Sequence, residues 1–231
     1  MTTSRKYGAD ANNFEQQRRR LLEEITSYAA MTAMDTGRSA FSYRVMSALG
    51  KVDRHRFVSD DLIGCAYGNY PLPIGHGQTI SQPYIVALMT DLLDLNETDI
   101  VLEIGTGSGY QAAVLAELVS HVYSVEVVEP LGIQARAKFQ RLGYKNISVK
   151  IGDGWQGWPE HSPYDAVIVT AAAEKIPDAL VEQLKPGGKI ICPLGPAYGP
   201  QELVLANKHN NGSLTSQHVL PVRFVPLISV S

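Results

Sequence analysis

The sequence predicts an α/β protein: a doubly wound, mostly parallel sheet, ending in an antiparallel C-terminal hairpin and preceded by an N-terminal helical extension. Three observations predict it. From residue 100 onward, short apolar runs alternate with segments that are apolar at helical spacing, the pattern of a parallel sheet with helices on both faces. Val101–Tyr110 reads Val-Leu-Glu-Ile-Gly-Thr-Gly-Ser-Gly-Tyr, an apolar run that ends in an acid and a glycine-dense turn. Such a strand and turn, followed by a helix, form the front of a nucleotide-binding βαβ unit. Beyond Pro186-Gly187-Gly188 the alternation stops, and two strand-like runs flank the polar loop His209–Ser213, which is a hairpin signal.

The elements follow in order. Phe14–Met34 carries Leu21, Leu22, Ile25, Tyr28 and Ala29 at helix spacing. Its basic run Arg18-Arg19-Arg20 is expected to be a solvated face, offset by Glu23 and Glu24. Thr36–Ser39 breaks the pattern. A second helix is predicted over Ser42–Val52, with Val45, Met46 and Leu49 as its apolar stripe. Gly64–Gly77, rich in Gly and Pro, reads as irregular. Pro83 opens a helix over Tyr84–Leu93, since proline is tolerated at the first helical position. Strands are then expected at Ile100–Ile104, Val122–Val127, Ile147–Ile151, Asp165–Thr170 and Lys189–Leu194. Helices are expected at Gly109–Val119, Pro130–Leu142 and Pro177–Leu184. Gln201–Asn207 and Ser216–Val225 form the terminal hairpin. No linker is evident, so residues 1–95 are expected to pack on the core.

Composition narrows the function. A chain of 231 residues, 45% apolar, suffices for one domain with an extension. A net charge of −3 gives no argument for nucleic acid or an anionic membrane as partner. No apolar run reaches the ~20 residues that span a bilayer. Met1–Gln17 has no apolar signal-peptide core, so a cytoplasmic location is expected. Cys65 and Cys192 show no metal-ligand spacing and read as free thiols in a reducing compartment. No metal is expected, and the oligomeric state is left open.

In an open α/β sheet, ligands bind at the carboxyl ends of the strands near the switch in strand order. Four features fall at such ends. Gly105, Gly107 and Gly109 make a GxGxG turn after Glu103. Glu126 closes the second strand, about 20 residues on, where an acid hydrogen-bonds ribose hydroxyls. Asp153-Gly154 follows the third strand, placed for an adenine amino group. Thr170-Ala171-Ala172-Ala173 follows the fourth, leaving room for a ligand. An acid at the second strand end disfavours a 2′-phosphate and hence NADP, while NAD stays open.

Two flanking segments go further. Leu72–Pro83 reads Leu-Pro-Ile-Gly-His-Gly-Gln-Thr-Ile-Ser-Gln-Pro, and Pro221–Leu227 reads Pro-Val-Arg-Phe-Val-Pro-Leu. With Val101–Tyr110 and Gly152-Asp153-Gly154-Trp155, these resemble the protein-L-isoaspartate O-methyltransferases over about residues 43 to 228. The resemblance implies a Rossmann-like methyltransferase fold, with residues 41–231 as the catalytic domain and 1–40 as the extension. It implies S-adenosylmethionine as cofactor and methyl transfer to the free α-carboxyl of isoaspartyl residues in damaged proteins and peptides, with repair through a succinimide. It marks Ser81 as the active-site residue, and Thr79, Ile80, Gln82, Val222 and Arg223 as substrate contacts. It assigns Glu103, Gly105, Thr106, Gly107, Glu126, Asp153, Gly154 and Thr170 to the cofactor. Gln82 stands where some relatives have alanine, which leaves substrate preference open. The alternative is a S-adenosylmethionine-dependent enzyme acting on a small molecule or another protein carboxyl. Ser81 is also placed to cap the helix near Pro83, and Arg223 to form a structural ion pair.

Overall fold

The structure, a computed structural model, describes residues 4–197 and 199–229, with side chains from residue 13 onward. The N-terminal region is helical: α1 (Ser4–Met31), α2 (Ala33–Thr36) and α3 (Tyr43–Lys51). Ser42 caps α3, its hydroxyl accepting from Val45 N, which satisfies one of the free donors of the first turn. Leu21, Ile25 and Ala29 of α1 are buried, and Leu21 and Ile25 join the same core as Val45, Ala48 and Leu49 of α3. The basic run does not form one solvated face. Arg19 and Arg20 are exposed, but Arg18 lies partly buried and bonds Gly50 O at 2.8 Å and the Asp53 carboxylate.

Two short 3-10 turns, Arg54–Phe57 and Asp60–Cys65, lead to β1 (Leu72–Gly75) and β2 (Gln78–Ile80). These pair antiparallel, in part of the region read from sequence as irregular. Their turn, Gly75-His76-Gly77, has positive φ at all three residues, so two glycines let the chain reverse where other residues are strained. α4 (Pro83–Leu92) follows with Pro83 in its first turn. Its cap position is Gln82, and no side chain caps it.

The alternating region gives β3 (Ile100–Ile104), α5 (Tyr110–Ala116), β4 (His121–Glu126), α6 (Glu129–Leu142), β5 (Ile147–Ile151), β6 (Tyr164–Val169), α7 (Asp178–Glu182), β7 (Leu184–Leu194), β8 (Gln201–Lys208) and β9 (Leu214–Val222). The sheet order is β5-β4-β3-β6-β7-β8-β9. The first five of these are parallel; β7, β8 and β9 pair antiparallel. β7 starts earlier than Lys189, because Leu184 already pairs with Tyr164 and the register shifts around the Pro186-Gly187-Gly188 turn.

The two faces of the sheet bury separate cores. Val101, with the buried residues of α3, α4 and α5, belongs to one; Leu102, Ile104, Tyr164, Val167, Leu180 and Ile190 form the other. Side chains one residue apart on β3 therefore serve opposite layers, as the two-residue period of a strand requires. Trp155 and Trp158 pack against the second core. No helix among the described residues is long and apolar enough to cross a membrane.

Candidate functional site

Chain order reverses between β3 and β6: β4 and β5 lie to one side, β6 and β7 to the other. A cavity of about 760 Å³ opens there, over the carboxyl ends of β3, β4 and β6, at the place a doubly wound sheet offers to ligands.

The glycine turn forms one wall. Gly105 has φ +97, and a Cβ there would lie 2.4 Å from Thr170 Oγ1. Only glycine allows β3 and β6 to stay this close at their ends. Thr170 Oγ1 in turn lies 3.0 Å from Ile104 O and 2.7 Å from Gly105 O, and Thr170 N donates to Ile104 O at 2.9 Å. Glu126, 5% exposed, forms the next wall. One of its oxygens accepts from Gly107 N at 2.7 Å, the other from Val128 N at 2.8 Å. The carboxylate thus holds the glycine turn and the start of α6, and each oxygen keeps a lone pair for a ligand. Gly154 completes the floor: a Cβ there would lie 2.6 Å from Ile104 Cγ2. Ile104, Val125, Val127 and Leu227 supply apolar surface.

Glu103 does not reach this cavity. It is fully buried on the same side of β3 as Val101, the side covered by α5, because residues two apart in a strand share a face. One carboxyl oxygen accepts from the Ser124 hydroxyl, which lies 2.5 Å from Thr106 Oγ1; the other oxygen has no partner. Burial raises its pKa to about 8, against the lowering effect of the Ser124 bond and with a smaller push from Glu126. At neutral pH the group is protonated and acts as a strut beneath the turn, not as a ligand contact. Asp153 also stands beside the wall rather than on it. Its carboxylate accepts from Trp155 N at 2.9 Å and from Ser229 Oγ at 2.9 Å. The remaining cofactor candidates, Gly105, Thr106, Gly107, Glu126, Gly154 and Thr170, line the cavity together.

A second, more open cavity of about 1170 Å³ adjoins the first. It is lined by Thr79, Ser81, Gln82, Tyr84, Ile85, Val222, Arg223 and Phe224, among others. Thr79, Ser81, Thr170 and Val225 line both cavities, so the two meet at these four residues. Ile80, buried, lines the first only. Among the described residues none hydrogen-bonds the Ser81 hydroxyl, and the cap position of α4 falls one residue later. Arg223 is exposed at the rim and forms no ion pair with the described residues.

The segment after β9 builds the shared wall. Leu227 N donates to Ala172 O at 2.7 Å and Ala172 N to Val225 O at 2.8 Å, which ties Val225–Leu227 alongside the small residues that follow β6. Three lining residues had no signal pointing to this site in the sequence. Tyr28 reaches the second cavity from α1, but its helix spacing reads as core. Tyr84 packs against it with the rings tilted and their centroids 5.6 Å apart, and the Tyr84 hydroxyl lies 2.6 Å from Thr32 Oγ1. Tyr110, where a GxGxxG turn would have glycine, packs its buried ring under the first cavity.

The arrangement suits a nucleoside cofactor in the first cavity and a larger acceptor in the second, with reacting atoms at the junction. The family model of protein-L-isoaspartate(D-aspartate) O-methyltransferase matches residues 27–231. A protein-L-isoaspartate O-methyltransferase 2 from Polaromonas sp. is 55% identical over 90% of this chain and 98% of its own. A protein-L-isoaspartate O-methyltransferase 1 from Cupriavidus necator is 53% identical over 92% of this chain and 82% of its own. A solved protein-L-isoaspartate O-methyltransferase superposes with a TM-score of 0.80 at 29% identity; the match covers 90% of this chain and spans 65% of the length of that one. A Plasmodium falciparum structure described as a complex with S-adenosyl-L-homocysteine shares the fold, with a TM-score of 0.75 at 24% identity over 91% of this chain and 98% of its own. By its sequence over nearly its whole length, and by its fold, the chain belongs to the protein-L-isoaspartate(D-aspartate) O-methyltransferase family.

Proposed function

We propose that the chain transfers the methyl group of S-adenosylmethionine to the free α-carboxyl of L-isoaspartyl residues in damaged proteins and peptides, the first step of repair through a succinimide. The observation that carries this reading is the meeting of a cavity walled by the glycine turn and Glu126 with an open cleft, at Thr79, Ser81, Thr170 and Val225, in a member of this family.

The cavity fits the cofactor. Glu126 offers two charged acceptor oxygens to ribose hydroxyls, and the Gly105–Gly107 and Gly154 backbones leave the space that side chains would fill. S-adenosylmethionine, when bound, supplies an activated methyl group on a good leaving group.

The chain's own residues need do little acid–base work. A carboxyl with a pKa of roughly 4 is already an anion at neutral pH, so no general base is required. What remains is orientation and exclusion of water, for which well-held reactants gain large effective concentrations. Ser81 stands at the junction with its hydroxyl free to donate to a carboxylate oxygen. Val222 and Arg223 edge the cleft, placed to hold peptide backbone, and Thr79, Ile80 and Gln82 shape the approach. The apolar faces of Tyr28, Tyr84 and Ile85 line the same cleft. Through Tyr28, α1 also borders the acceptor side.

The test is incubation of the purified protein with labelled S-adenosylmethionine and two peptides that differ only in an isoaspartyl or an aspartyl residue. Base-labile label on the isoaspartyl peptide alone is expected. Equal labelling of both peptides would favour a general carboxyl methyltransferase, and none on either would refute the reading.

A further inference from the structure

Arg54 is fully buried, yet it has no carboxylate partner among the described residues. It opens a short 3-10 turn, and the acid before it, Asp53, is committed to Arg18. Its Nε donates to Ala66 O and one Nη to Ser81 O, both at 2.9 Å. The other Nη is buried without a partner. The guanidinium carbon lies 4.8 Å from the centroid of the Tyr110 ring, whose residue lines the cofactor cavity. Burial lowers the pKa to about 10, with a smaller opposing contribution from Tyr110, so the group is charged at neutral pH.

A buried charge without a counter-ion is unfavourable, and sequences retain one only where something offsets it. The structure offsets this one only in part: two neutral carbonyls and the Tyr110 ring contact the guanidinium, and one nitrogen has no hydrogen-bond partner among the described residues. The nearest place where an anion must sit, on the functional reading above, is the junction at Ser81. We propose that Arg54 is a positioning residue of the transfer site: its guanidinium fixes Ser81 through the main-chain carbonyl and places uncompensated positive charge behind the wall on which the acceptor carboxylate docks.

Two consequences separate this from a packing role. The charge acts on an anionic acceptor and not on a neutral one of the same shape. It also acts on acceptor binding more than on cofactor binding. The inference rests on the proposed methyl transfer, and wild-type activity on the isoaspartyl peptide tests that reading separately.

The experiment compares wild type with R54M, R54Q and R54K, each loaded with S-adenosylhomocysteine. Calorimetry gives Kd for an isoaspartyl peptide and for the same peptide with the α-carboxyl replaced by carboxamide. Wild type should prefer the carboxylate by about tenfold or more, and R54M and R54Q should lose most of that preference, since interactions between charged groups set specificity across such contacts. R54K, which keeps the charge, should retain the preference to within about twofold while Kd for both peptides rises from the loss of a carbonyl contact. S-adenosylhomocysteine affinity should change by less than about threefold throughout, because only peptide discrimination depends on the charge. An unchanged carboxylate preference in R54M or R54Q would overturn the proposal. So would a parallel loss of affinity for both peptides and the cofactor. Failure of both neutral variants to fold would overturn it in favour of a structural role.

Discussion

Replacing Glu126 with alanine tests the cofactor cavity most sharply. The carboxylate accepts from Gly107 N at 2.7 Å and Val128 N at 2.8 Å, so Glu126→Ala removes two charge-assisted bonds at once. Hydrogen bonds to charged groups contribute about 1.5–3 kcal/mol each. Gly107 and Val128 both border the cavity, where water replaces part of the loss, so the lower end applies to each. The cofactor-free protein should then lose about 3 kcal/mol. For a domain of this length each kcal/mol lowers Tm by about 2–4 °C, which gives a fall of roughly 6–12 °C by calorimetry. Cofactor binding should suffer separately. If the same carboxylate accepts ribose hydroxyls, one lost bond of this kind weakens Kd by about tenfold or more. A Tm within 2 °C of wild type would refute the pinning of the turn. A Kd within about twofold would refute the ribose contact.

Three further outcomes follow from the structure. Gly105→Ala places a Cβ 2.4 Å from Thr170 Oγ1 at a φ of +97; backbone strain of about 1–2 kcal/mol and a displaced Thr170 should lower Tm and abolish measurable cofactor binding, and wild-type affinity would contradict the close approach. Glu103 has its folded pKa raised from 4.5 to about 8 by burial. The folded state therefore holds a proton that the unfolded state releases, so stability is full below pH ~4.5 and declines as pH rises toward and through ~8. Urea unfolding should show wild type losing more stability than Glu103→Gln between pH 6 and pH 9; parallel losses would mean that Glu103 is ionised in the fold. Ile25→Ala in α1, at a site with 0% exposure, should cost about 2–5 kcal/mol in denaturant unfolding, whereas a loss under ~0.5 kcal/mol would show that α1 packs loosely on the core.

The sheet was legible because its strands are short apolar runs bounded by turn residues, such as Ile100–Ile104 before Gly105 and Ile147–Ile151 before Gly152-Asp153-Gly154. The hairpin of β8 and β9 was legible from the polar loop between them. β1 and β2 were not, since strands of four and three residues broken by Pro73 and Gly75 carry no period. The acids show the same limit. Glu103 and Glu126 both belong to apolar strands, and linear order does not say which carboxyl faces the cavity. Glu126 is the final residue of β4, where the chain leaves the sheet, whereas Glu103 is followed by Ile104 and lies inside β3. That one-residue difference sends one carboxylate to the cavity wall and the other beneath α5. The wall contributed by Tyr28 depends on how α1 lies across α4, a tertiary fact with no local signature. Arg54 was equally silent: a lone arginine in a polar turn reads as solvated until its burial is seen.

The most direct test of the meeting of donor and acceptor is a crystal structure with S-adenosylhomocysteine and an isoaspartyl peptide bound together. The cofactor should fill the cavity between the glycine turn, Glu126 and Gly154, with its sulfur toward Thr79, Ser81, Thr170 and Val225, and the peptide carboxylate should face it from the cleft edged by Arg223. A peptide bound outside that cleft, or a sulfur turned away from Ser81, would contradict the placement of the transfer site.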